Sequence, residues 1–280
     1  MPSFKSQLTM THIGTATALL EIDGVTLLTD PVFDDAPADY DTSSLLPVDD
    51  AAKEKFGPFV ASSINGPALK LNELPPFDAV LLSHEDHVDN LDDSGRQLLD
   101  GRKVITTMDG AKNLQPRPGV QGIRPWEQLS LNIGGKSFTV TGTPCKHLPG
   151  GECTGFILES SNFGTTDGKP NVIYISGDTV YLDELVSIRD KYHVSVAIVH
   201  LGLATMPAFP GVEGPLEITM GGEDAAKLVR ELDADIMVPI HFESWKHFTE
   251  HSGELHKIFE KEGIMDKVCW LTPGQPKRVI

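Results

Sequence analysis

Residues 78–90 read DAVLLSHEDHVDN, an apolar run from Ala79 to Leu82 that ends in two histidines and three acids within seven positions. A short apolar run of this kind is the pattern of a buried strand. The side chains delivered at its end are all of types that bind metal.

The same arrangement recurs three times. His147 lies just beyond FTVTGTPCK, Asp178 follows VIYISG, and His241 follows DIMVPI. Strand ends along one edge of a layered fold are rigid mounts, so side chains from distant segments can meet about 2 Å from a shared metal ion. Each residue also has a plainer role open to it. His147 or His241 alone reads as a hydrogen-bonded histidine at a strand end, HEDHVDN as an acidic turn, and Asp178 in SGDT as the cap of a helix starting near Tyr181. Four strand endings of one kind favour a common metal site over four separate explanations.

Outward from these points, LTMTHIG, TALLEI and VTLLTD read as strands, with Asp23-Gly24 a hairpin turn between the last two. A long irregular segment runs from TDPVF to about Pro76, including FGPFVASSINGPALK, and is expected to shape a pocket. DAVLLSH, KVITT, SFTVTGTPC, TGFILES, NVIYISGD, VSVAIVHLG and ADIMVPIHF are further strand candidates, with a second hairpin turn at Gly134-Gly135. NLDDSGRQLLDG, YLDELVSIRDKY, GEDAAKLVRELD and HSGELHKIFEKEG read as helices. Strands in two groups with helices between them predict two packed sheets covered by helices on both outer faces.

Composition narrows the function. The chain has 280 residues, 40% hydrophobic and 22% charged, and no flexible linker divides it, so one domain over residues 1–280 is expected. MPSFKSQLTM lacks a signal-peptide core, and no segment approaches the roughly 20 apolar residues that cross a bilayer, so the expected location is cytoplasmic, without integral membrane association. Cys145, Cys153 and Cys269 form neither a disulfide framework nor a C-x-x-C pair, which leaves nitrogen and oxygen as the metal donors. A formal charge of -17 repels phosphate backbones, and nucleic acid is excluded as a partner. The expected partner is a small-molecule substrate, with a homo-oligomer left open. No P-loop, G-x-G-x-x-G or G-x-S-x-G motif is present, so neither a nucleotide cofactor nor a serine elbow is supported.

These features resemble the metallo-β-lactamase superfamily, whose signature is H-x-H-x-D-H after a strand, then a lone His, a bridging Asp in a GDT turn and a last His after a strand. HIGTATALLEIDGVTLLTDPVF, ISGDTVY and VPIHFESW are similar to the branch of L-ascorbate 6-phosphate lactonase and N-acylphosphatidylethanolamine phospholipase D. The resemblance covers about residues 10 to 250 and implies an αββα four-layer sandwich with metal at the sheets' edges.

The signature is not intact. Keeping both flanks in register yields His84, His87 and Asp89, with Asn90 where the last His belongs; a competing register uses His84, Asp86 and His87, and Glu85 and Asp86 stay open as ligands. In the first register the resemblance implies His84, His87 and His147 at one ion, Asp178 bridging, and Asp89 with His241 at a second. An amide is a poorer ligand than imidazole, so Asn90 is expected to weaken the second position. The cofactor that the resemblance implies is a divalent transition metal, one or two ions, zinc first with manganese or iron as alternatives.

A metal lowers the pKa of bound water to about 7 and polarises a substrate oxygen. Asp89 is the candidate base, and His200 and His12 are candidates behind it. The implied activity is hydrolysis of a small ester, a lactone first, with a phosphodiesterase as the alternative and a noncatalytic binding protein with an eroded centre as the third. GLATMPAFPGVEGP, residues 202–215, reads as a substrate lid or a surface turn, and Phe242 and Trp245 as a pocket wall or helix anchors.

Overall fold

The structure is a computed structural model that describes residues 4–45, 59–148, 151–206 and 214–280. Strands Leu8–Gly14, Thr17–Ile22 and Val25–Thr29 form an antiparallel meander at the start of the first sheet. Asp23 and Gly24 take φ of 52° and 83°, the two left-handed residues that a tight hairpin turn of matching twist requires. Ala79–Leu81, Lys103–Thr106 and Val120–Gly122 then add in parallel, and Lys277–Arg278 closes the opposite edge.

The second sheet runs in the order Ile236–Ile240, His193–His200, Lys169–Ile175, Thr154–Glu159, Lys136–Pro144, Gln128–Ile133. Its first three strands are parallel to one another. Lys136–Pro144 is two antiparallel steps away from Lys169–Ile175 and so points the same way. The C-terminal ends of these four strands therefore share one edge, and that edge receives His147, Asp178, His200 and His241.

Alternation of side chains builds three apolar layers. Leu8, Met10, Leu20, Leu27 and Leu81 of the first sheet meet Phe138, Val140, Phe156, Ile173 and Ile198 of the second in the central core. Val172, Tyr174 and Val199 face outward and pack under the helices Gly222–Leu232 and Ser252–Glu262 through Leu228, Val229, Leu255 and Phe259. Leu19, Leu28, Val80 and Val104 cover the other outer face with Leu99 and Leu114, beside the short helices Asp93–Gln97 and Met108–Asn113. The order is helix, sheet, sheet, helix, the αββα sandwich expected from the sequence. Full burial of a side chain such as Phe259 is worth about 1.5–3 kcal/mol.

Local chemistry sets the ends. Asp92 caps Asp93–Gln97 by accepting from Gly95 N at 2.6 Å, and its other oxygen accepts from Phe33 N and Asp34 N at 2.5 Å each. Burial pushes its carboxyl up to about 6 against the pull of those three donors. Helix Ser252–Glu262 stops at Gly263, whose φ of 67° suits a residue without Cβ.

Several elements differ from the sequence reading. The helix expected over YLDELVSIRDKY is a 3-10 turn, Asp183–Ser187, followed by the single turn Ile188–Lys191. NLDDSGRQLLDG narrows to Asp93–Gln97. The irregular segment contains a hairpin, Ala38–Asp41 with Val60–Ser63. Residues 46–58 of that segment and 207–213 of the expected lid lie outside the described residues. Among the described residues, no helix is long and apolar enough to cross a membrane.

Close strand approach beside the site has a testable cost. A Cβ on Gly155 would lie 2.4 Å from both the Ser176 carbonyl and Thr143 Oγ1, contacts that the backbone must shift to relieve. Gly155→Ala is expected to lower unfolding free energy by about 1–3 kcal/mol, as overpacking does. Urea denaturation checks this; an unchanged midpoint contradicts the packing described.

Candidate metal centre

The strand Ala79–Leu81 ends three residues before His84, and the turn that follows brings His87, Asp89 and Asn90 to the same edge. Asn90 N and Leu91 N both bond back to the His87 carbonyl, which fixes the turn. Gly177, at φ 61°, makes the sharp turn into Asp178; a Cβ there would sit 2.5 Å from the Thr154 carbonyl. His241 takes φ 62°, unusual for a residue with a side chain, and its N–H is held by the Thr15 carbonyl at 2.9 Å.

These turns bring the expected side chains together. One donor atom from each of His84, His87 and His147 lies within 4.8 Å of the others. His87 Nδ1 and His147 Nε2 are 3.0 Å apart. Asp178 Oδ2 is 3.2 Å from His241 Nε2 and 3.9 Å from His147 Nε2, and so links the imidazole trio to the last histidine. Asp89 Oδ2 is 3.7 Å from His241 Nε2.

His200 stands behind Asp178, fully buried, with Nδ1 2.7 Å from Asp178 Oδ1. It orients the carboxylate and contacts no other expected ligand through a hydrogen bond. His12 is bonded through Nε2 to the Thr15 carbonyl at 3.0 Å. Glu85 is buried with its Oε1 accepting from Asn113 Nδ2 at 2.5 Å, and Asp86 is exposed. The side chains that lie against Asp178 and His241 on this turn are Asp89 and Asn90. Phe242 packs edge-on to Trp270 under the helices, and Trp245 donates to Thr15 Oγ1 at 3.0 Å.

The outer contacts assign the tautomers. His147 Nδ1 donates to the Ile218 carbonyl at 2.6 Å, which leaves Nε2 with a lone pair facing inward. Ser83 Oγ is 2.8 Å from His84 Nδ1 and 2.8 Å from Asp30 Oδ1, and Ser83 N donates to the same oxygen at 2.7 Å. With Ser83 giving its proton to Asp30, His84 must donate from Nδ1, and its Nε2 also carries a lone pair. His241 Nδ1 lies 3.3 Å from the Leu201 carbonyl, which turns its Nε2 toward the carboxylates.

Electrostatics agree with that assignment. Burial, then the neighbouring charge of His87, holds His84 well below the usual imidazole range and brings His147 down to about 4, so both are neutral. Burial alone would raise Asp178, but the charge of His241 and the hydrogen bond from His200 hold it well below the carboxylate range. Burial likewise opposes ionisation of Asp89, and His247, His241 and His87 outweigh it. Burial would lower His241, yet Asp178 and then Asp89 raise it to about 9.

The donor set fits a divalent cation. Nε2 of His84, His200 and His241 are buried without a well-aligned hydrogen-bond partner, although the carboxylate contact of His241 is short. Buried polar atoms normally find partners, and here two of the three converge on carboxylates and neutral imidazoles. His84, His87, His147 and Asp178 would hold one ion; Asp178, Asp89 and His241 would hold another.

Three participants escaped the sequence reading. His247 Nε2 is 3.2 Å from Asp89 Oδ2 and remains 28% exposed. It lies six positions past His241 in a loop, where no periodicity marks it. Asp30 and Ser83 orient His84, and Asp30 does follow a strand end in the same way as Asp178.

Two stacked sheets with imidazoles and carboxylates along one edge define the class of metallo-β-lactamase folds. The chain belongs to that superfamily, because the beta-lactamase superfamily domain matches residues 26–242. An uncharacterized protein of Mycobacterium tuberculosis is 27% identical over 265 residues, covering 89% of this chain and 62% of the relative. The chain therefore spans less than two thirds of that mycobacterial relative's length. A metal-dependent hydrolase of Methanopyrus kandleri is 24% identical over 280 residues, covering 95% of this chain and 97% of its own. The crystal structure of an isothiocyanate hydrolase from Delia radicum gut bacteria has a TM-score of 0.71 at 22% identity, covering 96% of this chain and 98% of that one, a likeness of fold.

Proposed function

We propose that the chain is a metal-dependent hydrolase that cleaves a small neutral ester, a lactone first, by attack of water. The observation that carries this reading is the meeting of three desolvated imidazoles, His84, His87 and His147, with the carboxylates Asp89 and Asp178. When bound, a divalent ion supplies Lewis acidity toward the ester oxygen and makes water acidic enough to attack near neutral pH. Asp89, kept ionised by His247, His241 and His87, can accept a proton from the attacking water. His247 retains access to solvent and is placed to return a proton to the departing oxygen. His200 holds Asp178 in one orientation throughout.

The surroundings support a neutral substrate. Val88, Leu148, Ile218, Trp245 and Phe248 form an apolar cluster beside the ligands, and Phe248 packs edge-on to His241 at 4.7 Å. Apolar packing beside the ligands on a chain of charge -17 disfavours a polyanion. The test compares turnover of simple lactones and of bis(p-nitrophenyl) phosphate by protein reconstituted with zinc or manganese. Lactone hydrolysis is expected to exceed diester hydrolysis by about tenfold or more in kcat/KM; the reverse order contradicts the proposal.

A further inference from the structure

Cys145 and Cys153 stand at facing positions, where Lys136–Pro144 ends and Thr154–Glu159 begins. Pro144 pairs with Thr154 in the antiparallel ladder, so the two cysteines form the next pair outward. Facing residues of such a pair send their side chains to one side of the sheet, about 4.5–5.5 Å apart at Cβ. The two thiols are accordingly in hydrogen-bonding contact, and Cys145 Sγ also donates to the Ser176 carbonyl at 3.3 Å. Both residues are half-buried, within reach of a small oxidant, while Cys269 packs elsewhere against the central core. Each thiol is one residue from a backbone bond that fixes the metal centre. Lys146 N donates to Thr179 Oγ1 at 2.9 Å and the Lys146 carbonyl accepts from Val180 N at 3.1 Å, which ties the residue before His147 to the turn after Asp178. Thr154 N donates at 3.0 Å to the carbonyl of Ser83, whose hydroxyl orients His84.

We propose that Cys145 and Cys153 are a redox modification site: a peroxide-class oxidant joins them in a reversible disulfide, and the bond weakens the hold of His84 and His147 on metal. The coupling to metal rests on the metal-centre reading above. Transfer of one peroxide oxygen to the Cys145 sulfur breaks the O–O bond and leaves a sulfenic acid and water. The Cys153 sulfur then displaces the sulfenic hydroxyl, which departs with the Cys153 proton as a second water, so the thiols lose the two electrons that the peroxide gains. Burial pushes the Cys153 thiol well above the usual thiol range, so Cys145 is oxidised first. Closing a covalent bond draws both sulfurs inside their contact distance, and the adjoining backbone must follow. Movement of Cys145 passes to His147, two residues on, and movement of Cys153 passes through Thr154 to Ser83. A disulfide across neighbouring strands carries strain, which keeps it reducible by small thiols.

The full chain, Cys145→Ser, Cys153→Ala and Cys269→Ser are treated with hydrogen peroxide and digested with trypsin without reduction, circular dichroism serving as the folding check. Trypsin cleaves between Lys146 and His147, so a bond between Cys145 and Cys153 keeps the two flanking peptides joined. Joined peptides are expected in the unaltered chain and in Cys269→Ser, and in neither of the other variants. Equilibrium dialysis with zinc is expected to show about tenfold weaker binding by the oxidised chain, the scale of a misplaced supporting contact. Dithiothreitol, removed by gel filtration before dialysis, is expected to restore the affinity, and peroxide to leave that of Cys145→Ser and Cys153→Ala unchanged. Separate peptides from the oxidised unaltered chain overturn the disulfide. Joined peptides with unchanged zinc affinity overturn its hold on the centre while leaving the hydrolase reading standing. Failure of the reduced chain to bind zinc overturns the metal centre and the coupling together, and the peptides still report the bond.

Discussion

Asp178→Ala is expected to strip most of the bound metal and to lower kcat/KM by about a thousandfold or more, the scale of losing a group that acts throughout the reaction. Asp178 joins the two halves of the centre. One carboxylate oxygen faces His241 and His147 at 3.2 and 3.9 Å, and the other is held by His200 at 2.7 Å. The stability consequence is small by comparison. Removing the carboxylate leaves His200 Nδ1 without its acceptor, a cost of about 1–3 kcal/mol, but it also removes a fully buried charge. His241 loses the largest influence that raises it, so its imidazole in metal-free protein falls back from about 9. Metal analysis, steady-state kinetics and urea denaturation of one preparation separate these effects. Full metal and full turnover in the variant would show that Asp178 is only a turn residue.

His147→Ala is the second large effect, again about a thousandfold or more in kcat/KM with loss of metal. His147 comes from the loop after Lys136–Pro144, far in sequence from His84 and His87, yet its Nε2 is 3.0 Å from His87 Nδ1. Its Nδ1 bond to the Ile218 carbonyl aims that lone pair inward. Alanine deletes both the donor and the aim. The adjacent Lys146, exposed on the same loop, provides the control: Lys146→Ala is expected to keep metal and activity. Equal behaviour of the two variants contradicts the assignment.

The strands, and the side chains at their ends, were legible because two-sided burial leaves a plain mark on sequence. VIYI and VAIV are apolar runs whose alternate residues pack into two different layers, and a polar residue directly after such a run stands out. The hairpin of Ala38–Asp41 with Val60–Ser63 left no such mark, since its residues are mostly half-buried or exposed. The helix expected over 181–192 follows apolar spacing that a 3-10 turn and a short helical turn satisfy as well. His247 was hidden for a different reason. Its contact with Asp89 spans 158 positions of chain and depends on the path of an irregular loop, which carries no period. Within HEDHVDN, Glu85 is bonded to Asn113 while Asn90 lies against two carboxylates, a difference between neighbouring polar residues that a turn sequence does not mark.

Elemental analysis of the purified chain, produced with zinc and manganese supplied, is the most direct test of the central claim, with His84→Ala/His147→Ala as its partner. The account predicts at least one equivalent of a divalent transition metal in the unaltered chain and almost none in the double variant. A chain that folds and carries no transition metal, or a double variant that carries as much as its parent, would contradict it.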